Sequence, residues 1–259
     1  MATVYLPDYI DNAEFHLERL IPRLASGSLG WREIQEMTAR FRQRGICSLL
    51  LYGSAGPFFV NLMQSAGAFL YFLERAADEE KVTSQAKPFY DAVGGGYIDA
   101  ARAIAGRSRV VWNEGYEYEE DFLYAYLLMR MLFLPESLRE CEALLQALDA
   151  KAAPVDAPRV DVCRSLLARD NERFAQGVAA LIDARQEKVE GMLTRGTLPE
   201  EVATCFRPFD SDALAVIRIA EMLGIPTATH YKYVPEEVRP LSPFPFDGDA
   251  WRDLAYSPR

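Results

Sequence analysis

At 259 residues, half of them apolar, the chain suffices for a helical domain that buries about 75% of its unfolded surface, so no metal or disulfide staple is required. Its 38 acidic and 28 basic side chains give a net charge of −10. That balance argues against nucleic acid or an anionic membrane as the main partner, because both reward a basic surface, and leaves room for a basic protein.

The opening, Met1-Ala-Thr-Val-Tyr-Leu-Pro-Asp8, lacks the basic and apolar regions of a signal peptide. Cys47, Cys141, Cys163 and Cys205 lie far apart with no C-x-x-C pair, which gives neither a zinc site nor a disulfide framework. Both features point to a reducing cytoplasm. A first helix is expected from Asp11 to Ala25, with Ile10, Ala13, Leu17, Leu20, Ile21 and Leu24 on one face and Pro22 bending its last turn. Ser26-Gly27-Ser28 is a loop. Trp31, Ile34, Met37 and Phe41 mark a second helix, closed by Arg40, Arg42, Arg44 and the stop residue Gly45.

No residue between Gly45 and Leu73 is charged, which raises the question of a membrane span. Gly53, Gly56, Pro57, Asn61, Gln64 and Gly67 break the apolar run, and its longer piece, Phe58 to Leu73, falls short of the roughly 20 residues a bilayer core requires. Two buried helices at the centre of the fold are expected instead, with Ala66, Gly67 and Ala68 admitting a close neighbour. Glu74 to Lys81 reads as a charged helix end. Gly94-Gly95-Gly96 reads as a turn between helices, since no G-K-[ST] follows and no strand precedes it. Tyr97 to Ala105 makes a short helix ending at Gly106.

Glu119 to Leu193 reads as four helices in a row. Phe122, Tyr126, Leu127, Met129, Leu132 and Phe133 mark the first, and Leu138, Cys141, Leu144, Leu145 and Leu148 the second. Val160, Val162, Cys163, Leu166 and Leu167 mark the third. In the fourth, capped by Asp170 or Asn171, an apolar stripe runs through Phe174, Val178, Leu181, Ile182, Val189, Met192 and Leu193. The linker Lys151 to Pro158 allows sub-lobes 1–150 and 159–259, but similar helix pairs on both sides favour one domain over 1–259. Asp212 to Leu223, opened by Asp210 or Ser211 and ended by Gly224 and Pro226, is apolar nearly all round and expected to be deeply buried. Tyr231 to Arg259, rich in proline and aromatics, is expected to lie extended over the surface. The fold class is therefore all-α: an antiparallel helical stack of about nine or ten helices with an extended C-terminal segment.

A catalytic set is harder to find. His16 and His230 have no second ligand at metal spacing, and Ser54 in Tyr52-Gly53-Ser54-Ala55-Gly56 departs from the G-x-S-x-G elbow. No enzymatic activity, cofactor or metal is expected. One cluster does stand out: Trp112, Glu114, Tyr116, Glu117, Tyr118, Glu119, Glu120 and Asp121 interleave aromatics with acids. Acids at a helix N-terminus favour the helix dipole without any partner. The same residues also suit a contact surface, with rigid rings for area and carboxylates for a basic partner. Arg185 falls on the apolar stripe of its helix and needs a buried carboxylate or a route to the surface.

Three stretches carry a family resemblance: Glu117-YEEDFLYAYLL, Arg159-VDVCRSLLARDNERFAQGVAALIDAR and Leu214-AVIRIAEMLGIPTATHYKYVPEEV. They resemble bacterial immunity proteins of polymorphic toxin systems, in particular the immunity protein forty-nine family, and are similar to the partners of polymorphic nuclease effectors. The shared pattern is an acidic-aromatic opening of a long helix, a short helix pair with an L-L-A-R-D turn, then a buried helix and a G-[ILF]-P step. Gln64-Ser65-Ala66-Gly67-Ala68-Phe69-Leu70 is similar to the N-terminal half. The resemblance covers roughly two thirds of the chain and consists of packing patterns rather than catalytic signatures. It implies a cytoplasmic, non-enzymatic protein that blocks one cognate toxin, often a nuclease delivered between competing bacteria, as by type VI secretion. In such families the contact residues vary, so none is carried over by motif. The cluster from Trp112 to Asp121 is the expected toxin-binding surface, facing a basic toxin domain, with no direct nucleic acid or membrane contact and a homodimer left open. A helical adaptor holding a host partner in a concave groove is the alternative reading, and an unrecognised helical enzyme a third.

Overall fold

The computed structural model describes residues 5–133 and 138–258. Residues 1–4, part of the opening read above, and Arg259, the end of the proline-rich segment, lie outside the described residues. The architecture is all-α: among the described residues there is no strand beyond an isolated bridge between Tyr231 and Val234.

Three antiparallel helices form one side: α1 (Leu6–Ala25), α2 (Trp31–Tyr52) and α3 (Ala55–Leu73). α1 buries Leu6, Ala13, Leu17, Leu20 and Leu24, a spacing of sevens, fours and threes that makes one face. It starts earlier than the expected Asp11, because Pro7 suits a first helical turn. Gly45 does not stop α2. At this point α3 crosses so closely that a Cβ on Gly45 would stand 2.9 Å from the Asn61 Cβ and 3.3 Å from the Phe58 carbonyl oxygen. The helix continues to Gly53, whose φ of 64° supplies the left-handed stop. Glu74 to Lys81 is likewise not a helix end; α3 closes at Leu73, and the acids form a short 3-10 turn, Asp78–Glu80, in solvent. Among the described residues, no helix is long and apolar enough to cross a membrane.

The other side is the expected run of four: α6 (Glu119–Phe133), α7 (Leu138–Lys151), α8 (Ala157–Ala168) and α9 (Asn171–Thr194). Asp170 caps α9 by accepting from the Arg173 amide at 3.0 Å. The α9 stripe is buried at Phe174, Val178 and Ile182, then only half-buried at Val189, Met192 and Leu193. Between the two sides lie α4 (Lys87–Gly95), α5 (Ile98–Arg107) and α11 (Ser211–Met222), while the short α10 (Glu200–Phe206) packs on α2. Asp210 caps α11, which is buried from Ala213 to Ala220 as its composition requires. The glycine triplet is not a three-residue break. Gly94 and Gly95 belong to α4, where a Cβ on Gly94 would meet the Leu214 side chain of α11 at 3.3 Å, and Gly96 ends the helix.

α11 packs on α4, and residues 250–252 pack on α3, so the buried cluster runs across the expected linker. That linker is itself mostly ordered, with a 3-10 turn at Pro154–Asp156 leading directly into α8. The C-terminal segment departs furthest from expectation. It is irregular, but it is not confined to the surface: Val238 and Trp251 are fully buried. The neighbour that Gly67 admits is this segment, whose Gly248 carbonyl oxygen would lie 2.8 Å from an added Cβ. Gln64 then ties it down, donating to the carbonyls of Ala250 (3.1 Å) and Asp253 (2.8 Å).

Candidate functional site

A cleft of about 610 Å³ opens where α4, α6, α8, α9 and α11 converge. α4 contributes Lys87 and Tyr90, one turn apart on the face turned towards α6 and α11. α6 contributes Asp121 and Tyr124, again one turn apart. α8 contributes Arg159, α9 Arg185 and Lys188, and the start of α11 Asp210 and Asp212. Val155 and Leu181 add apolar wall.

Most charges here are paired. Lys87 meets Asp212 in an ion pair. Arg159 donates to Asp121 at 2.6 Å and lies 3.3 Å from Asp156. Burial works against the Arg159 charge, but Tyr124, Asp121 and Asp156 outweigh it and hold the guanidinium above its ordinary value. Asp210 accepts from the amides of Asp212 (3.1 Å) and Ala213 (3.0 Å), and burial pushes its carboxyl up, with Arg185 pulling back. Arg185 thus finds the carboxylate its position on the α9 stripe requires, at 3.5 Å, and adds the carbonyls of Phe206 and Phe209 through Nη2. Burial raises both Tyr90 and Tyr124 well above the tyrosine range, so both phenols are neutral at physiological pH.

The cluster from Trp112 to Asp121 adjoins this cleft and divides into two kinds of residue. Four members hold the fold. Trp112 is half-buried and donates from Nε1 to the Glu117 carbonyl at 3.0 Å. The Glu117 carboxylate accepts from the amides of Ser84 (2.8 Å) and Asn113 (3.2 Å), stapling the loop to the cleft's edge. Glu119 pairs with Lys151 at 2.6 Å, and Asp121 with Arg159. Glu114, Tyr116 and Tyr118 face solvent instead, and Glu120 is half-exposed at the start of α6. Tyr116 and Tyr118 are 69% and 73% exposed, and the preceding Val110 and Val111 are 57% and 62% exposed. These rings and methyls stand on a rigid base, because buried Asn113 donates to the carbonyls of Glu79 and Lys81 at 3.1 Å each.

Burial and pairing set the surroundings of the cysteines and histidines. The thiols of Cys47 and Cys205 lie 2.6 Å apart between α2 and α10; the Cys47 neighbour and burial push Cys205 far up. Burial does the same to Cys163. A thiol pushed up in this way, as at Cys163 and Cys205, is a poor nucleophile. His16 and His230 pair with Glu36 and Glu236 near the surface. Among the described residues, no group of three or more His, Cys, Asp or Glu is placed to hold a metal ion.

The cleft went unread in the sequence. Its residues come from five helices spread over more than a hundred positions, and neither Tyr90 nor Tyr124 sits in a motif. Arg185, an unexplained charge on an apolar stripe, was the one local sign of it. No family model, no curated protein and no solved structure matches this chain.

Proposed function

We propose that the protein is an immunity protein: it binds a cognate secreted bacterial toxin, a nuclease with a basic face delivered between competing bacteria, and blocks it by occupying its active site or substrate surface. The observation that carries this reading is the exposed ridge of Val110, Val111, Tyr116 and Tyr118 around Glu114. Exposed tyrosines on a pre-ordered loop supply contact area at low entropic cost, the makeup of an interface hot spot. The net charge of −10 adds long-range attraction for a basic partner and raises its capture rate. The resemblance described above points the same way.

The structure also refines which residues to test. Glu117, Glu119 and Asp121 are bound internally, so changing them alters the fold as well as the surface. Tyr116→Ala and Tyr118→Ala are each expected to weaken toxin binding by at least about 2 kcal/mol with thermal stability unchanged. Glu114→Lys with Glu120→Lys is expected to slow association and flatten its salt dependence. Calorimetry and stopped-flow mixing at two ionic strengths measure both. Tyrosine variants that bind with wild-type affinity would place the interface elsewhere.

A further inference from the structure

Cys47 of α2 and Cys205 of α10 meet although they stand 158 positions apart and share no spacing motif. Both residues are fully buried, and their Sγ atoms lie 2.6 Å apart, closer than two unbonded sulfurs rest against each other. A disulfide forms only where two cysteine side chains converge, and the fold supplies that convergence while both remain free thiols. The elements that carry them are held unequally. Cys47 sits deep in a helix of 22 residues packed on α1 and α3. Cys205 sits on α10, a helix of seven residues in the connection between α9 and α11. Buried Ala203 and Cys205 hold α10 to α2, together with the Glu201 carboxylate, which accepts from Arg40 at 2.8 Å and from Gln43. So short a helix with so few ties opens locally at far lower cost than the core.

We propose that Cys47 and Cys205 form a reversible disulfide that locks α10 onto α2, with a low-molecular-weight disulfide such as oxidised glutathione as the oxidant. While α10 is docked the pair is idle, because the Cys47 neighbour and burial keep the Cys205 thiol protonated. Lifting α10 exposes Cys205 and removes both effects. Its thiolate then attacks the oxidant, forms a mixed disulfide and releases one glutathione thiolate. As α10 closes, the Cys47 thiolate displaces the second glutathione and completes the bond. Two cysteine thiols are oxidised, one small disulfide is reduced, and the two protons end on the two glutathione thiols. The bond closes a long loop, so it restricts the unfolded chain as well as the connection from α9 to α11. It also fixes the segment whose Phe206 and Phe209 carbonyls accept from Arg185. The inference stands independently of toxin binding.

The test incubates the full chain with oxidised glutathione, alkylates the free thiols in denaturant, and maps the peptides by mass spectrometry beside a dithiothreitol-treated sample. Alkylation of Cys141 and Cys163 alone is expected after oxidation, with Cys47 and Cys205 in one linked peptide pair. The oxidised chain is expected to melt roughly 5–10 °C above the reduced chain. Hydrogen exchange of the α10 amides is expected to slow by at least about fivefold. Cys205→Ala is expected to lose the link and both effects. The wild-type readings compare one chain in two redox states, so a variant that folds poorly leaves the test intact. Alkylation of all the cysteines after oxidation, glutathione retained without the link, a link between other cysteines, or equal melting and exchange of the two forms overturns the proposal.

Discussion

Replacing Asp91 with alanine is expected to cost about 3–5 kcal/mol of folding stability, a large share of what a domain has to spare. Asp91 lies on α4 with its side chain fully buried, and Arg42 of α2 grips it with two bonds, Nε to Oδ1 at 2.7 Å and Nη2 to Oδ2 at 2.6 Å. Ser65 of α3 donates to Oδ2 at 2.6 Å, so one carboxylate joins three helices. Burial works against the charge on Arg42, and Asp91 more than offsets it, keeping the guanidinium above its ordinary value. Without the carboxylate that charge stands alone in the core, which is why the single change costs so much. Ser65→Ala removes one bond to a charged group and is expected to cost less, about 1.5–3 kcal/mol. Arg42→Met with Asp91→Leu leaves no orphan charge and is expected to recover much of the loss. Urea unfolding of the four proteins checks the order. An Asp91→Ala variant as stable as the parent would mean that the pair does not form.

Trp251→Ala is the second large effect, at about 3–5 kcal/mol. The indole is fully buried although it belongs to a segment with almost no regular structure. Its ring centroid lies 5.0 Å from that of Tyr71 on α3, and the Arg252 guanidinium covers it at 4.3 Å. Gln64 holds the carbonyls on either side, and Arg44 donates to the Leu254 carbonyl at 2.9 Å. Removing the ring empties the anchor of the whole strap, so faster proteolysis between Phe244 and Tyr256 is expected alongside the lower denaturation midpoint. Leu241→Ala, at a side chain 57% exposed in the same segment, is the control and is expected to stay within about 0.5 kcal/mol. Equal effects of the two changes would show that the segment is held by its backbone alone.

These two residues also mark where the sequence could and could not be read. Helices α9 and α11 announce themselves, because each begins at a recognisable cap, Asp170 or Asp210, followed by an apolar stripe in α9 and an apolar run in α11. α4 has no such contrast. Pro88 to Gly95 is buried on every side, so no period appears, and its one core acid is balanced by an arginine far away in the chain. Gly45 misled for a related reason: a glycine that lets two helices touch looks in sequence like one that ends a helix. In the sequence, Asn61 and Gln64 count against a membrane span. In the structure they are polar tools of a buried helix, bonding the Pro57 carbonyl and the C-terminal strap. The candidate surface was legible in part. Composition singles out Trp112 to Asp121, but only the folded structure separates the ridge of Tyr116 and Tyr118 from the internal staples Glu117, Glu119 and Asp121.

The central claim is that this chain acts by occupying another molecule, and co-expression tests it most directly. The proposed function expects a toxin domain encoded by a neighbouring gene; that domain is produced in cells with and without the full chain, and any complex is purified and its stoichiometry weighed. The account predicts survival only when both are present, an intact toxin in a complex of fixed ratio, and loss of protection on changing Tyr116 and Tyr118 together. Death of cells that contain the folded chain, or rescue by amounts far below the toxin's own with the toxin or its substrate chemically altered, contradicts it.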